Sequence, residues 1–508
     1  MLEMTSVSSI EDSLDTGQIK RLSNYRRGLG LERDPGIFDD RVRDVLRRYE
    51  KSSCRGLVNE VNKTVDAKID DNGRHFSRSY YDPREIEKAL ERFQSQHVPS
   101  RRWNPAYQEA KRGLVQWAKL QNAKMLRWDS DHDIIQALPK RDTHSGFTFV
   151  ESGRKSKGEN MVDVKRGLDQ FVSKAKASGC IGRPMLIGSR TQGNAGINDD
   201  GTYSEGFKLK TRLVLMVDLY QILCELRFSK PVQEIFAQWR EYAGGKSRNE
   251  QAIIINDMRS NYSYAVSLDY SSYDQSLPSW LIEDAFDIIK VMFRNDWSFD
   301  EELWNLMVAA FIHKDIIWKD GVVHCDHGVP SGSMWTQIID SLCNKLMIET
   351  AFNVIRGGRH QCFIMGDDNL IYHTADCNVD RLLEVVQYMF GVTVNKTKSA
   401  KFIKFQDPEF LSCYWRRNGE QWRQPKVLID HLLWPERHRN YVGKATPELV
   451  VYSYILCYRA GMKEFLDIER FLMDNELREA DVLDAPAGTL PGFLEFRRRE
   501  RDLGAVIA

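Results

Sequence analysis

The stretch from residue 262 to 415 constrains the fold more than any other part of the chain. Short β-prone runs alternate there with one long apolar helix, and carboxylates stand at the ends of the runs. Tyr264-Ala265-Val266-Ser267-Leu268 is β-prone and stops at Asp269. A helical pattern follows from Pro278 to about Phe293, with Trp280, Leu281, Ala285, Ile288 and Met292 recurring at helical spacing. Ile316-Ile317-Trp318 and Val322-Val323-His324 flank Lys319-Asp320-Gly321, which predicts a hairpin turned on the Asp-Gly pair. Met334 to Phe352 reads as a long buried helix. Cys362–Met365 and Leu370–Tyr372 read as two strands joined by a tight Gly-Asp-Asp-Asn turn.

The rest of the chain sets the class. Its 508 residues suit two or three packed subdomains rather than one core. Nine cysteines without regular spacing argue against a disulfide framework and for a reducing compartment. No run approaches 18 apolar residues, and Met1 to Asp15 is Ser-rich and acidic, so neither a membrane span nor a secretory leader is expected. The zero net charge hides an asymmetry. Residues 1–250 hold 44 basic and 35 acidic side chains, while residues 251–508 hold 28 and 37. A protein that grips a polyanion with one part and cations with another has this pattern, as do many solvated surfaces. Residues 188–206, with five Gly, read as a long loop or hairpin. Gly245-Lys246-Ser247 resembles the end of a phosphate loop, but Arg240 stands where the first Gly is required, which rejects a Walker-type ATPase.

Asp269 closes one strand, and Asp367 and Asp368 occupy the bend between two others. If these strands share a sheet, the carboxylates converge at one edge. Hard cations such as Mg²⁺ take oxygen ligands of this kind, and a pair of them about 3.5–4 Å apart serves in-line phosphoryl transfer. The alternative is a solvated hairpin tip. Between the carboxylates, the small residues of Gly328-Val329-Pro330-Ser331-Gly332-Ser333 permit close backbone approach to a ligand. Thr336 and Asn344, eight apart, share one helix face that could offer a hydroxyl and an amide to a ribose. Lys210 and Arg212 could grip phosphates, and Lys398 could protonate a leaving group.

Taken in order, these elements resemble the palm motifs of viral RNA-dependent RNA polymerases. Asp269-Tyr270-Ser271-Ser272-Tyr273-Asp274 matches the first motif with its D-x4-D spacing, Ser331-Gly332-x3-Thr336-x7-Asn344 the second, and Gly366-Asp367-Asp368 the third. Lys398 follows as the fourth, Phe410-Leu411-Ser412-Cys413-Tyr414-Trp415 looks like the fifth, and Lys210 with Arg212 matches the finger motif before the palm. Asp274 to Ile282, the GVPSGS run and Leu432-Leu433-Trp434-Pro435-Glu436 are most similar to partitiviruses, small segmented double-stranded RNA viruses. Picobirnaviruses are the nearest competitor. Asn369 departs from the Ser common in partitiviruses after Gly-Asp-Asp.

The resemblance implies an α+β, closed right-hand polymerase of fingers, palm and thumb, with a small antiparallel palm sheet backed by helices. Its expected divisions are an N-terminal region and fingers over 1–257, palm over 258–294, a fingers insertion over 295–326, palm over 327–420 and thumb over 421–508. Asp269, Asp367 and Asp368 would hold Mg²⁺, with Mn²⁺ as a substitute, and Lys398 would be the acid for pyrophosphate. Lys210, Arg212, Asp274, Ser331, Gly332, Thr336 and Asn344 would bind the incoming nucleotide, with Asp274, Asn344 and Ser331 reading its 2′-hydroxyl. The expected partners are template and product RNA, ribonucleoside triphosphates and a viral capsid protein, without a membrane, in the virion interior and host cytoplasm. Initiation without a protein primer is expected by the same analogy. Two other readings are a reverse transcriptase, which usually has an aromatic residue where Met365 stands, and a non-catalytic capsid-associated RNA-binding protein.

Overall fold

The structure is a computed structural model. It describes residues 2–6, 16–33, 37–52, 55–59, 81–94, 98–127, 138, 143–150, 156–194, 208–374, 377–396, 399–403, 406–435, 438–441, 443 and 445–483. The chain divides into two compact units. The first comprises 1–31, 86–188 and 213–411, and the second 32–85, 189–212 and 412–508.

Nine strands carry the argument: β1 (Met4–Ser6), β2 (Leu186–Asn194), β3 (Lys208–Met216), β4 (Tyr264–Ser267), β5 (Lys314–Trp318), β6 (Gly321–Cys325), β7 (His360–Met365), β8 (Asp368–His373) and β9 (Ala400–Ile403). Five helices of the first unit accompany them: α1 (Pro105–Lys119), α2 (Leu219–Gln238), α3 (Ser279–Lys290), α4 (Thr336–Ile355) and α5 (Val379–Phe390).

The central sheet of the first unit has the order β7-β8-β4-β9, all neighbours antiparallel. α4 packs against β7 and against α1, α3 and α5. Its residues from Ile338 to Ile348 are buried without interruption, because helices and sheet surround it. The helix stops where Arg356 turns left-handed, φ 53°, ahead of Gly357 and Gly358. α3 and α4 lie close to the limits read from the sequence, α4 shifted by two or three residues toward its C-terminus.

Both predicted hairpins form, each with a correction. β7 and β8 pair up to Met365 and Asp368, so the loop is Gly366-Asp367 alone and Asp368 and Asn369 belong to the strand. Gly366 has φ +66° and Asp367 is not left-handed, the sign pattern of a II′ turn, which explains the glycine. In the other hairpin Gly321 pairs with Trp318, leaving Lys319-Asp320 as the loop. The reason for that glycine is β1, which lies against β6: a Cβ at Gly321 would stand 2.7 Å from the Thr5 carbonyl oxygen. Residues 188–206 contribute the end of β2, and the tip of its hairpin with β3 lies outside the described residues.

Gly245-Lys246-Ser247 is a helix entry. Ser247 caps the helix Arg248–Asn261 in a reciprocal box with Glu250, and Lys246 Nζ donates to the carbonyls of Ala237 and Trp239.

The second unit joins an early segment of the chain to a late one. Val42, Val45 and Leu46, on the helix Asp40–Arg48, share one apolar core with Leu428, Leu432, Leu449, Val450 and Phe471. Beside that core Asp39 and Arg439 form a buried ion pair at 2.7 Å, and the Tyr441 hydroxyl donates to the same carboxylate at 2.5 Å.

Candidate active site

β4 and β8 bring the aspartates together. The paired register runs to Val266 and Ile371, which stand three residues short of Asp269 and Asp368 along the chain. A side chain spans that gap. Asn369 is buried; its Oδ1 accepts the Leu268 N–H at 2.9 Å, and its Nδ2 donates to the carbonyls of Leu268 and Asp367, each at 3.1 Å. It thereby ties the residue before Asp269 to the hairpin loop. The Asp269 backbone is held on its other side, where its N–H donates to Ser399 Oγ and its carbonyl accepts the Asn395 N–H.

α4 clasps the loop from beneath. Ser341 Oγ accepts the Gly366 N–H at 2.8 Å, and Asn344 Nδ2 donates to the Gly366 and Asp367 carbonyls at 2.9 and 3.1 Å. Asn344 Oδ1 accepts the Tyr270 hydroxyl at 2.9 Å. One amide thus links the residue after Asp269 to both loop residues, with both of its N–H donors used. Tyr273 donates from its hydroxyl to the Asp340 carbonyl, and burial raises both tyrosines well above the ordinary phenol range. They are hydrogen-bonding neutral groups, not bases.

The segment before α4 is equally committed to the scaffold. A Cβ at Gly332 would lie 2.1 Å from the Leu215 carbonyl oxygen, so the close approach served by this glycine is to the backbone of β3. Ser331 Oγ accepts the Leu215 N–H at 3.0 Å. Thr336 donates from its hydroxyl to Pro330 and Ser333 carbonyls. Glu225, buried on α2, accepts the Ser333 hydroxyl at 2.7 Å and the Met334 N–H at 2.8 Å. Sequence reasoning missed Glu225, Ser341 and Asn369 as supports. A lone acid in the apolar run Ile222-Leu223-Cys224-Glu225-Leu226 was the available signal for the first.

Asp367 and Asp368 are exposed and Asp269 is half-buried. Their carboxylates suit hard, oxygen-seeking cations that keep waters for exchange with phosphate. The three are set more widely than a closed cage. Among the described residues, the only group of three metal-type ligands within 4.8 Å of one another is Glu349, His360 and Cys362. There the Lys345 ammonium already lies 2.6 Å from Glu349 and 2.8 Å from Glu241, so a cation is built into the cluster. Lys210 and Arg212 fall on β3 in the second unit, Arg212 with an exposed side chain, and Lys398 lies outside the described residues.

Comparison with known proteins identifies the family. The family model described as viral RNA-dependent RNA polymerase matches residues 30–458. The RNA-directed RNA polymerase of Cryptosporidium parvum virus 1 is 27% identical over 281 residues, covering 52% of this chain and 50% of that protein. The genome polyprotein of human parechovirus 5 is 29% identical over 241 residues, 43% of this chain and 10% of the polyprotein. The chain therefore spans half or less of the length of these relatives. The crystal structure of a human picobirnavirus RNA-dependent RNA polymerase shares the fold, with TM-score 0.63 and 15% identity over 98% of this chain and 94% of that one.

Proposed function

Because this chain belongs to the viral RNA-dependent RNA polymerases, we propose that it extends RNA on an RNA template, transcribing and replicating a double-stranded RNA genome. The observation that carries this reading is the buried Asn369 side chain, which ties Leu268, the residue before Asp269, to the carbonyl of the clasped loop residue Asp367. In this reading the sheet β7-β8-β4-β9 with α3 and α4 is the palm, and the helices around Leu428 and Leu449 belong to the thumb.

Asp269 and Asp367, with Asp368 assisting, would hold two Mg²⁺ ions, or Mn²⁺ in their place. When bound, the ions supply charge neutralisation for the attacking 3′-hydroxyl and the departing pyrophosphate. The protein's own contribution is positioning. Asn369 and Asn344 fix the backbones that carry the aspartates. Arg212 and Lys210 would steady the triphosphate, Asp274 would face the ribose, and Lys398 would hand a proton to pyrophosphate. Ser331, Gly332, Thr336 and Asn344 also hold the backbone of the scaffold, and beside Asp274 would bind the incoming nucleotide. The partners that follow are template and product RNA, ribonucleoside triphosphates and a capsid protein, in the virion and host cytoplasm, with initiation free of a protein primer. No helix among the described residues is long and apolar enough to cross a membrane.

The test is templated incorporation by the purified chain. Ribonucleotides should be joined on RNA, and Asp367→Ala should lower the rate at least ~10³-fold without unfolding the protein. Full synthesis by that variant would overturn the assignment of the aspartates. Preference for deoxynucleotides would favour reverse transcription, and absence of any synthesis by the intact chain would favour a passive RNA-binding role.

A further inference from the structure

Away from the aspartates, two short segments of the first unit are fastened side by side at the surface. Residues 120–127 leave the end of α1, and residues 291–297 leave the end of α3. The Ala123 N–H donates to the Met292 carbonyl at 3.0 Å, and the Met125 N–H to Asp296 Oδ2 at 2.6 Å. Lys124 Nζ donates to the Asn295 carbonyl, and Arg294 Nη1 to the Gln121 carbonyl at 2.8 Å. The 12 residues of α3, about 18 Å of helix, separate this surface from Ser279, where the chain leaves the Asp269 segment.

What the fastened segments present outward is an open ring among cations. Trp297 is 86% exposed and Leu120 82%. A single exposed apolar side chain needs no explanation. Here, however, the Arg127 guanidinium lies over the indole, 4.8 Å from its centroid, a cation–π contact that leaves the opposite face of so exposed a ring to solvent. Lys119, Lys124, Arg127 and Arg294 are all exposed, and among the described residues none of them has a carboxylate partner. Lys124 and Arg294 donate to neutral carbonyls, which leave their charge in place. The one acid in the two segments, Asp296, is buried, with its oxygens accepting from Met125 and Ser298. The first segment also falls where the sequence concentrates its basic excess, 18 Lys and Arg against 9 Asp and Glu over residues 101–190.

Uncompensated cations attract a polyanion, and an open indole face accepts a planar base. A single strand offers both at once. A duplex keeps its bases stacked within itself, and an acidic peptide brings carboxylates but nothing flat for the ring. We propose that this surface is a second binding site for single-stranded RNA, in which Trp297 stacks on a base while Lys119, Lys124, Arg127 and Arg294 hold the neighbouring phosphates. The site is separate from the aspartates, and the inference does not depend on the polymerase reading.

The experiment titrates the intact chain with hexauridylate, with bound RNA per chain read by native mass spectrometry and affinity by fluorescence anisotropy. The intact chain should take up one more RNA than Trp297→Ala, whose affinity at that site should fall at least ~10-fold, while Trp297→Phe should stay within about threefold. Replacing Lys124 and Arg127 together by Gln should flatten the fall of log K with log salt by about 1.4, the loss of two single-strand phosphate contacts. These side chains are exposed, so thermal unfolding should match the parent. Templated synthesis at saturating RNA should be the same in Trp297→Ala as in the parent; a fall equal to the loss of binding would put the RNA in the catalytic channel and overturn the proposal. Unchanged stoichiometry in Trp297→Ala would overturn it too. Oligoglutamate binding that ignores Trp297→Ala and displaces the RNA would instead assign the surface to an acidic protein. A chain that makes no RNA yet loses one bound RNA in Trp297→Ala sinks the polymerase reading alone.

Discussion

Asn369 is where one side chain decides the geometry of the site. It replaces a stretch of backbone pairing between β4 and β8, so Asn369→Leu, equal in shape but without donors or acceptors, should release Leu268 and let Asp269 drift. Loss of these buried bonds should cost about 2–3 kcal/mol of stability and at least ~10-fold in synthesis rate, measured by denaturant unfolding and primer extension. Lys314 supplies a second test. Its ammonium is buried and donates to the Ile312 and His327 carbonyls, and burial lowers it to about 8 despite Cys325 and Asp326 nearby. Between about pH 8 and 10.5 the unfolded chain keeps a proton that the folded chain has released, so stability rises with pH across that window. Below it the folded state carries the full penalty of about 3 kcal/mol. The stability advantage of Lys314→Met over the parent should therefore shrink as pH rises from 8 toward 10; a constant difference would refute it. At this scale the sequence shows which residue types are present but not what they face. The meeting of the segments that carry Asp269 and Asp367 was legible, because carboxylates at strand ends have few structural uses. The scaffold bonds of Ser331, Thr336 and Asn344 were not legible, because a hydroxyl or an amide serves a ribose and the backbone equally well.

Among the elements, the β7–β8 hairpin is the one whose loop cannot be altered freely. Gly366 needs positive φ, and a Cβ there would also approach Gln337 Nε2 to 2.8 Å. Gly366→Ala should destabilise the protein by about 1–3 kcal/mol, and adding Gln337→Ala should recover only the crowding, leaving the backbone strain. Full recovery in the double variant, seen in thermal unfolding, would show that φ is not the constraint. The existence of this hairpin, of β5–β6 and of α4 was legible from short apolar runs and turn residues. Their limits were not, because Asp368 and Asn369 look like turn residues while their partners, Met365 and Ile364, are supplied by tertiary pairing. Gly321 shows the same limit: its use depends on β1, more than 300 residues earlier in the chain.

Across the whole molecule the second unit draws on segments almost 400 residues apart, and local sequence gave no sign of it, since the apolar face of Asp40–Arg48 looks like that of any surface helix. Arg439→Met should leave Asp39 buried without its cation and cost about 3–5 kcal/mol. Proteolysis should then attack the 428–482 helices before the central sheet of the first unit; unchanged resistance would count against the pair as a tie between the two segments. A production cost follows from the same joining of distant segments. Arg48 bonds to Glu448, 400 positions later, and at ribosomal speeds of ~5–20 residues per second the early helix waits roughly 20–80 s for its counterpart. Throughout that interval Val42, Val45 and Leu46 face solvent on a nascent polypeptide. Yield in a recombinant host should thus depend on holdase chaperones and slow growth temperature more than on codon choice near the start.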